Sequence, residues 1–175
     1  MGPLIGWAKN HQAPYHRLVA RSLLERDREL ATLIEAAGEA AAGTGSVVLL
    51  HGEAGIGKTS LVSAIRSQLP DGTRMLVGSC DALSTPRTLG PFRDLIAAVG
   101  PRLAEALQLG ERDQVMDALL DELRQPPPTT LVIEDVHWAD EATVDTLRFW
   151  YAGSRNCQSS CCLLTATTSY LATTG

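Results

Sequence analysis

Residues 52–59 read Gly52-Glu53-Ala54-Gly55-Ile56-Gly57-Lys58-Thr59, an unbroken G-x-x-x-x-G-K-[ST] pattern, and few short stretches restrict a fold as tightly. Just before it stands SVVLLHG, a β-branched run closing on glycine that suits a buried parallel strand. Just after it, Leu61 and Ile65 lie among small residues, which predicts a helix that ends before Pro70. Strand, glycine-rich turn and helix, in that order, aim successive backbone N–H groups and the positive end of the helix at one point, a cradle for polyphosphate. Gly52, Gly55 and Gly57 permit backbone angles and a close approach that a Cβ would forbid, and Glu53, Ala54 and Ile56 complete the loop. Lys58 can reach the β- and γ-phosphates as a mobile point charge, while the Thr59 hydroxyl can ligate magnesium.

A magnesium ion that bridges two phosphates needs an acidic or water-mediated protein ligand, expected at the carboxyl end of a neighbouring strand. TTLVIEDV, residues 129–136, is the strongest strand signal in the chain, and its Leu131 to Asp135 stretch supplies two acids, Glu134 and Asp135. One would hold the metal's water shell and the other would polarise an attacking water; the sequence allows either order. The reading adopted assigns Glu134 to the metal and Asp135 to the base, with Thr59, Glu134 and Asp135 as the candidate metal set and Lys58, Glu134 and Asp135 as the candidate catalytic set. His137 and Trp138 are read equally as site lining or as packing, His51 as packing at a strand end, and Asp140 as an N-cap followed by Glu141 in the first turn.

Elsewhere a helix is expected from Ser22, with Leu23, Leu30, Ile34, Ala37 and Ala41 on one face and a stop near Gly43 to Gly45. TRMLVGS reads as a second strand, followed by a short amphipathic helix carrying Leu89, Phe92, Ile96 and Val99. Further helices are expected over Glu111 to Arg124, ended by Pro126 to Pro128, and over about Asp140 to Trp150, with Thr143, Leu147 and Trp150 on one side. Strands alternating with helices predict an α/β fold, a parallel sheet covered on both faces. Residues 1–21 show no period and read as a loosely ordered extension. After Arg155 no charged residue occurs, and only CCLLTAT reads as a strand there.

The chain of 175 residues suffices for about one domain, and its 45% hydrophobic and 20% charged residues exclude a wholly disordered or coiled-coil polypeptide. No apolar run approaches the ~20 residues of a membrane span and the opening MGPLIGWAKNHQ lacks a leader pattern, so a cytoplasmic location and no membrane partner are expected. A net charge of −5, with no helix-turn-helix signal and no basic face, argues against direct DNA binding. Cys80, Cys157, Cys161 and Cys162 lack paired zinc-ligand spacing and the four histidines are scattered, so reduced thiols are expected.

Four segments, LLERDREL, SVVLLHGEAGIGKTSLV, CDALSTPRTLGPFRDL and TLVIEDVHWADEATVDTLRFW, together resemble the regulatory P-loop ATPase domain of large bacterial LuxR-type transcriptional regulators of the MalT-like class and related multidomain signalling ATPases. The likeness covers about residues 22–150, and EDVHWAD with the C-D-A-L…P-F-R-D-L spacing makes it specific. It implies a P-loop NTPase three-layer sandwich that binds ATP or ADP with Mg2+ and works as a nucleotide switch, its DNA-binding part lying far downstream. By the same resemblance Arg26 falls in the segment that packs beside adenine; an exposed arginine on a helix is the other reading. Past Trp150 the pattern breaks. The resemblance calls for a basic helix, a strand and a motif like A-Y-R-D-D-E-L-P, whose arginine can sense the γ-phosphate, whereas this chain reads TATTSYLATTG. A back-translation in a shifted frame can encode Tyr-Arg-Asp-Asp-Glu there, so residues 151–175 are expected to be a divergent tail after a frameshift between about Phe149 and Cys157. Such a tail would leave the sheet C-terminally incomplete, with an edge prone to self-association.

Three functions compete at this stage: an ATP-binding switch domain of a signalling or transcriptional regulator, with slow hydrolysis as an option; a truncated, catalytically dead fragment; and a small-molecule phosphotransferase. The last would need an arginine-rich lid, and the arginines between Lys58 and Glu134 are dispersed.

Overall fold

The computed structural model describes residues 26–83, 85–154 and 160–167. The expected N-terminal extension, the Ser22 cap and Cys157 lie outside them. Four parallel strands, β1 (Ser46–Gly52), β2 (Arg74–Ser79), β3 (Thr129–Glu134) and β4 (Ser160–Thr167), form one sheet in the order β1-β4-β3-β2. β1 coincides with SVVLLHG, β2 starts one residue into TRMLVGS, β3 stops at Glu134 two residues short of the end of TTLVIEDV, and β4 adds one residue to CCLLTAT. It lies between the phosphate-loop strand and the acidic strand, with Gly52 opposite Thr167 on one side and Ile133 opposite Leu164 on the other. The sheet therefore takes in residues 160–167.

Alternation along the strands sends side chains into two cores, as a period of two requires. Val132 joins Leu33 of α1 (Asp27–Ala41) and Leu61, Val62 and Ile65 of α2 (Lys58–Arg66) on one face. Leu76, Leu131 and Ile133 point the other way, into a core shared with α3 (Gly90–Arg93), α4 (Pro101–Leu109), α5 (Arg112–Arg124) and α6 (Glu141–Ser154). Three layers result, the α/β architecture expected. Among the described residues β1 ends the sheet, and its Leu49 is 53% exposed.

Several helices depart from expectation for local reasons. Helix α1 begins at Asp27, with Arg26 at the N-cap position and Asp27 and Glu29 in its first turn. Of the expected face, Ala37 is buried and Leu30 and Ile34 pack partly buried against the core, Ala41 is exposed and Leu23 lies outside the described residues; Leu33, Ala36 and Ala40 are also buried, and the small side chains Ala36 and Ala40 let the helix settle against Val48 of β1. The single amphipathic helix expected from Leu89 to Val99 is broken. After α3 the bonding tightens to Leu95 N–H onto Phe92 O and Ala98 N–H onto Leu95 O, giving a 3-10 turn at Ile96–Ala98, and Val99 is extended ahead of Gly100-Pro101. Helix α4 was not anticipated, although proline at its first position and left-handed Gly110 at its end are the ordinary start and stop signals. Helix α5 starts one residue late, with Glu111 as its N-cap. Helix α6 runs on to Ser154, and it buries Thr143, Thr146 and Trp150.

Candidate phosphate-binding site

Helix α2 begins at Lys58, and the residue before it, Gly57, has φ 93°. Gly55 has φ 79°. Both lie in the left-handed region that disfavours any side chain, and a Cβ built on either meets nothing within 4 Å, so both flank open space. The loop thereby turns sharply enough to present the first N–H groups of α2, which have no partner within the helix, to that space. Lys58 is 9% exposed, and its ammonium donates to the carbonyls of Gly52 and Glu53, each at 3.0 Å. A buried ammonium needs such partners, and here the loop's own backbone provides them while fixing the lysine within the loop.

The cavity above the loop measures about 390 Å³ and is lined by Ala54, Gly55, Gly57, Lys58, Thr59, Ser60 and Asp135. Two segments that are remote in sequence thus face each other across it. Ser60 is a lining residue that the motif alone did not single out. Gly52 sits below the loop, where a Cβ would approach Ile56 Cγ2 to 3.1 Å; Glu53 and Ile56 are exposed. Arg26 stands at the head of α1 and is not among the residues lining this cavity.

Glu134 ends β3 opposite Ser79 of β2, and Asp135 turns the chain out of the sheet with φ 55° and ψ 42°. The Asp135 N–H donates to the Thr165 hydroxyl of β4 at 3.0 Å, and its carbonyl accepts from Trp138 N–H at 2.9 Å. Glu134 Oε1 is buried and has no hydrogen-bond partner. An orphaned carboxylate oxygen costs about 1–3 kcal/mol or more when nothing satisfies it; of the two acids only Asp135 lines the cavity, and Glu134 is not among its lining residues. Among the described residues no three His, Cys, Asp or Glu side chains are grouped to hold a metal on their own. Mg2+ does not require such a cage, because it is commonly held by one or two carboxylates together with phosphate oxygens. Thr59 and Asp135, the two members of the expected metal set that line the cavity, are donors of the kind that suits a magnesium polyphosphate.

Behind the acids lies a second polar group. Cys80, buried just after β2, donates its backbone N–H to Glu134 O at 2.9 Å. Burial, and then the negative charges of Asp140, Asp135, Asp81 and Asp94, push its thiol up to about 12, so the thiol stays protonated at neutral pH. Arg87 bonds Asp81 at 2.5 Å and Asp94 at 3.2 Å, and these hydrogen bonds raise its own affinity for its proton. Asp140 caps α6 as expected: its carboxylate accepts from the N–H and hydroxyl of Thr143, and it also accepts the N–H of Leu89 at 3.3 Å. His137 and Trp138 form a 3-10 turn after Asp135, their rings 5.2 Å apart, with Trp138 packed against the larger core. His51 is exposed rather than packed.

Residues 22–163 match the AAA ATPase domain family. A relative from Rhizobium meliloti (strain 1021), described as Uncharacterized protein R02095, is 28% identical; the match covers 71% of this chain and 16% of that protein. The chain thus spans about a sixth of the relative's length. The solved structure of C. elegans PCH-2 is similar to 91% of this chain and 37% of its own, with 17% identity and a TM-score of 0.40. No helix among the described residues is long and apolar enough to cross a membrane.

Proposed function

The chain belongs to the AAA ATPase domain family, and from that premise we propose that it is a Mg2+-dependent ATP-binding switch module with slow hydrolysis, working within a bacterial signalling or transcriptional regulator. The observation that carries the reading is the cavity in which Lys58, Thr59 and the glycines of the loop face Asp135. There the loop N–H groups and Lys58 would hold the polyphosphate, Thr59, with Glu134 at the adjoining end of β3, would hold the metal shell, and Asp135 would orient an attacking water. Bound magnesium supplies neutralisation of the charge that builds on the β- and γ-phosphate oxygens. The regulator context is supported by the EDVHWAD and C-D-A-L…P-F-R-D-L segments. A switch also requires ATP and ADP to favour different states of the chain, which would be read as distinct hydrogen-exchange patterns with each nucleotide.

Calorimetric titration of the chain and of Lys58→Ala with ATP, with and without Mg2+, tests the reading. Loss of a charge-assisted phosphate contact predicts affinity about 100-fold weaker in the variant, roughly 3 kcal/mol. Equal affinity in the two proteins would remove the loop as the binding site.

A further inference from the structure

We propose that Thr165 is a positioning residue for Asp135. Its buried hydroxyl holds the backbone of that acid in the left-handed turn that brings Asp135 to the phosphate cavity. The proposal rests on the reading of Asp135 as a site carboxylate.

Three observations converge on this contact. First, Asp135 is one of only two non-glycine residues with positive φ among the described residues. A backbone in that region is disfavoured for a residue carrying a Cβ and persists where the surroundings over-determine it. Second, the ladder fails where Asp135 begins. The pairing of β3 with β4 ends at Ile133 opposite Leu164, and that with β2 ends at Ser79 opposite Glu134. The Asp135 N–H therefore leaves the sheet without a strand partner. It donates instead to Thr165 Oγ1 at 3.0 Å, and Thr165 is 2% exposed, so water is a poor substitute. Third, the carbonyl of the same residue is closed from the other side by the Trp138 N–H. With donor and acceptor both fixed, the two backbone torsions of Asp135 are set by groups on β4 and on the following turn, and its place in the cavity wall follows. Thr165 also stands opposite Leu50 in the register of β4 with β1, two residues before Gly52. One side chain therefore ties the acidic turn to a strand that is hydrogen-bonded directly to the phosphate-loop strand.

The test compares Thr165→Val, which keeps the shape and removes the acceptor, with Thr165→Ser, which keeps the hydroxyl. Two quantities are measured: hydrogen exchange of the Asp135 amide in nucleotide-free protein, and the ratio of ATP dissociation constants without and with Mg2+. The expected result is amide exchange about tenfold faster in Thr165→Val, on the scale of one lost hydrogen bond, together with a comparable fall in the Mg2+ ratio. Affinity without the metal should be unchanged, and Thr165→Ser should restore both readouts. Should Thr165→Val not fold, Thr165→Ala is read in the same way with less crowding. An unchanged amide overturns the proposal. So does a faster amide with an intact Mg2+ ratio, provided that Asp135→Asn lowers that ratio, because Thr165 is then merely structural. If Asp135→Asn itself leaves the Mg2+ ratio and turnover unaltered, the reading of Asp135 fails and the proposal falls with it; a fast amide in Thr165→Val would still identify which of the two had failed.

Discussion

On the lysine side of the cavity the polar contacts are local: Lys58 donates to carbonyls six and five positions away, on Gly52 and Glu53. On the acidic side the corresponding bonds are remote, with Asp135 held by Thr165 from 30 positions away and Leu89 held by Asp140 from 51. One wall is a property of a short peptide fitted between a strand and a helix; the other exists only when the sheet and the α3–α6 layer are assembled around it. The loop should consequently survive perturbations that loosen the acidic wall. Substitutions far from the cavity can separate the two.

The largest separation is expected from Gly78→Ala. A Cβ at this position on β2 would come within 1.9 Å of the Pro91 carbonyl oxygen and 2.7 Å of its carbon. These are backbone atoms of α3, so the helix itself must move off the strand. Overpacking of this kind costs typically 1–3 kcal/mol and occasionally more, and the rigidity of the obstacle places the expected loss at about 3 kcal/mol in urea unfolding. ATP affinity in the absence of Mg2+ should stay within about twofold in the folded fraction, since the loop is not involved. A loss below about 1 kcal/mol would mean that α3 is not docked on β2 as tightly as these distances require.

Asp140→Ala should have a smaller effect of the same kind. It removes the cap on Thr143 and the bond to the Leu89 N–H, and losing a helix N-cap costs about 0.5–2 kcal/mol. Thermal unfolding should show a loss of about 1–2 kcal/mol, largely recovered by Asp140→Asn, again with Mg2+-free ATP affinity unchanged. If Asp140→Ala weakened that affinity tenfold, the loop would depend on the acidic wall and the contrast between them would collapse.

The same contrast explains what was legible in the sequence. Gly52 to Thr59 declared its own geometry because its constraints are local: the glycines at φ 79° and 93° and the lysine bonded back to its own loop all fall within one motif. Glu134 and Asp135 were legible as residue types at a strand end. What holds them was not, because Thr165 reaches Asp135 only through strand order, and no period or spacing reveals that β4 inserts between β1 and β3. The fold class followed from alternating strands and helices. Helix α4 lies outside the sequence reading although Pro101 and Gly110 bracket it, and the short helix expected over Leu89 to Val99 is instead split by the 3-10 turn at Ile96–Ala98. Of the face expected for α1, Ala37 is buried and Leu30 and Ile34 pack against the core; Ala36 and Ala40 join it because small side chains are favoured where a helix approaches a strand closely.

The smallest expected effect, with the opposite sign, sharpens the contrast most. Both walls contain a residue in the left-handed region, Gly57 at φ 93° and Asp135 at φ 55°. The loop meets that demand with glycine, which adopts the conformation freely. The acidic wall meets it with a residue that bears the conformational cost, though aspartate tolerates it better than most. Asp135→Gly relieves that cost in the folded state but gives the unfolded chain more freedom, which offsets part of the gain. The net expectation is stabilisation by about 0.5 kcal/mol in nucleotide-free thermal unfolding, together with loss of the Mg2+ enhancement of ATP binding. Gain of stability with loss of the metal effect would show that the aspartate is kept for its carboxylate at the expense of the fold. A loss of more than about 1 kcal/mol would show instead that the Asp135 side chain holds the turn, and its role would move from the chemistry of the cavity to the architecture of the wall.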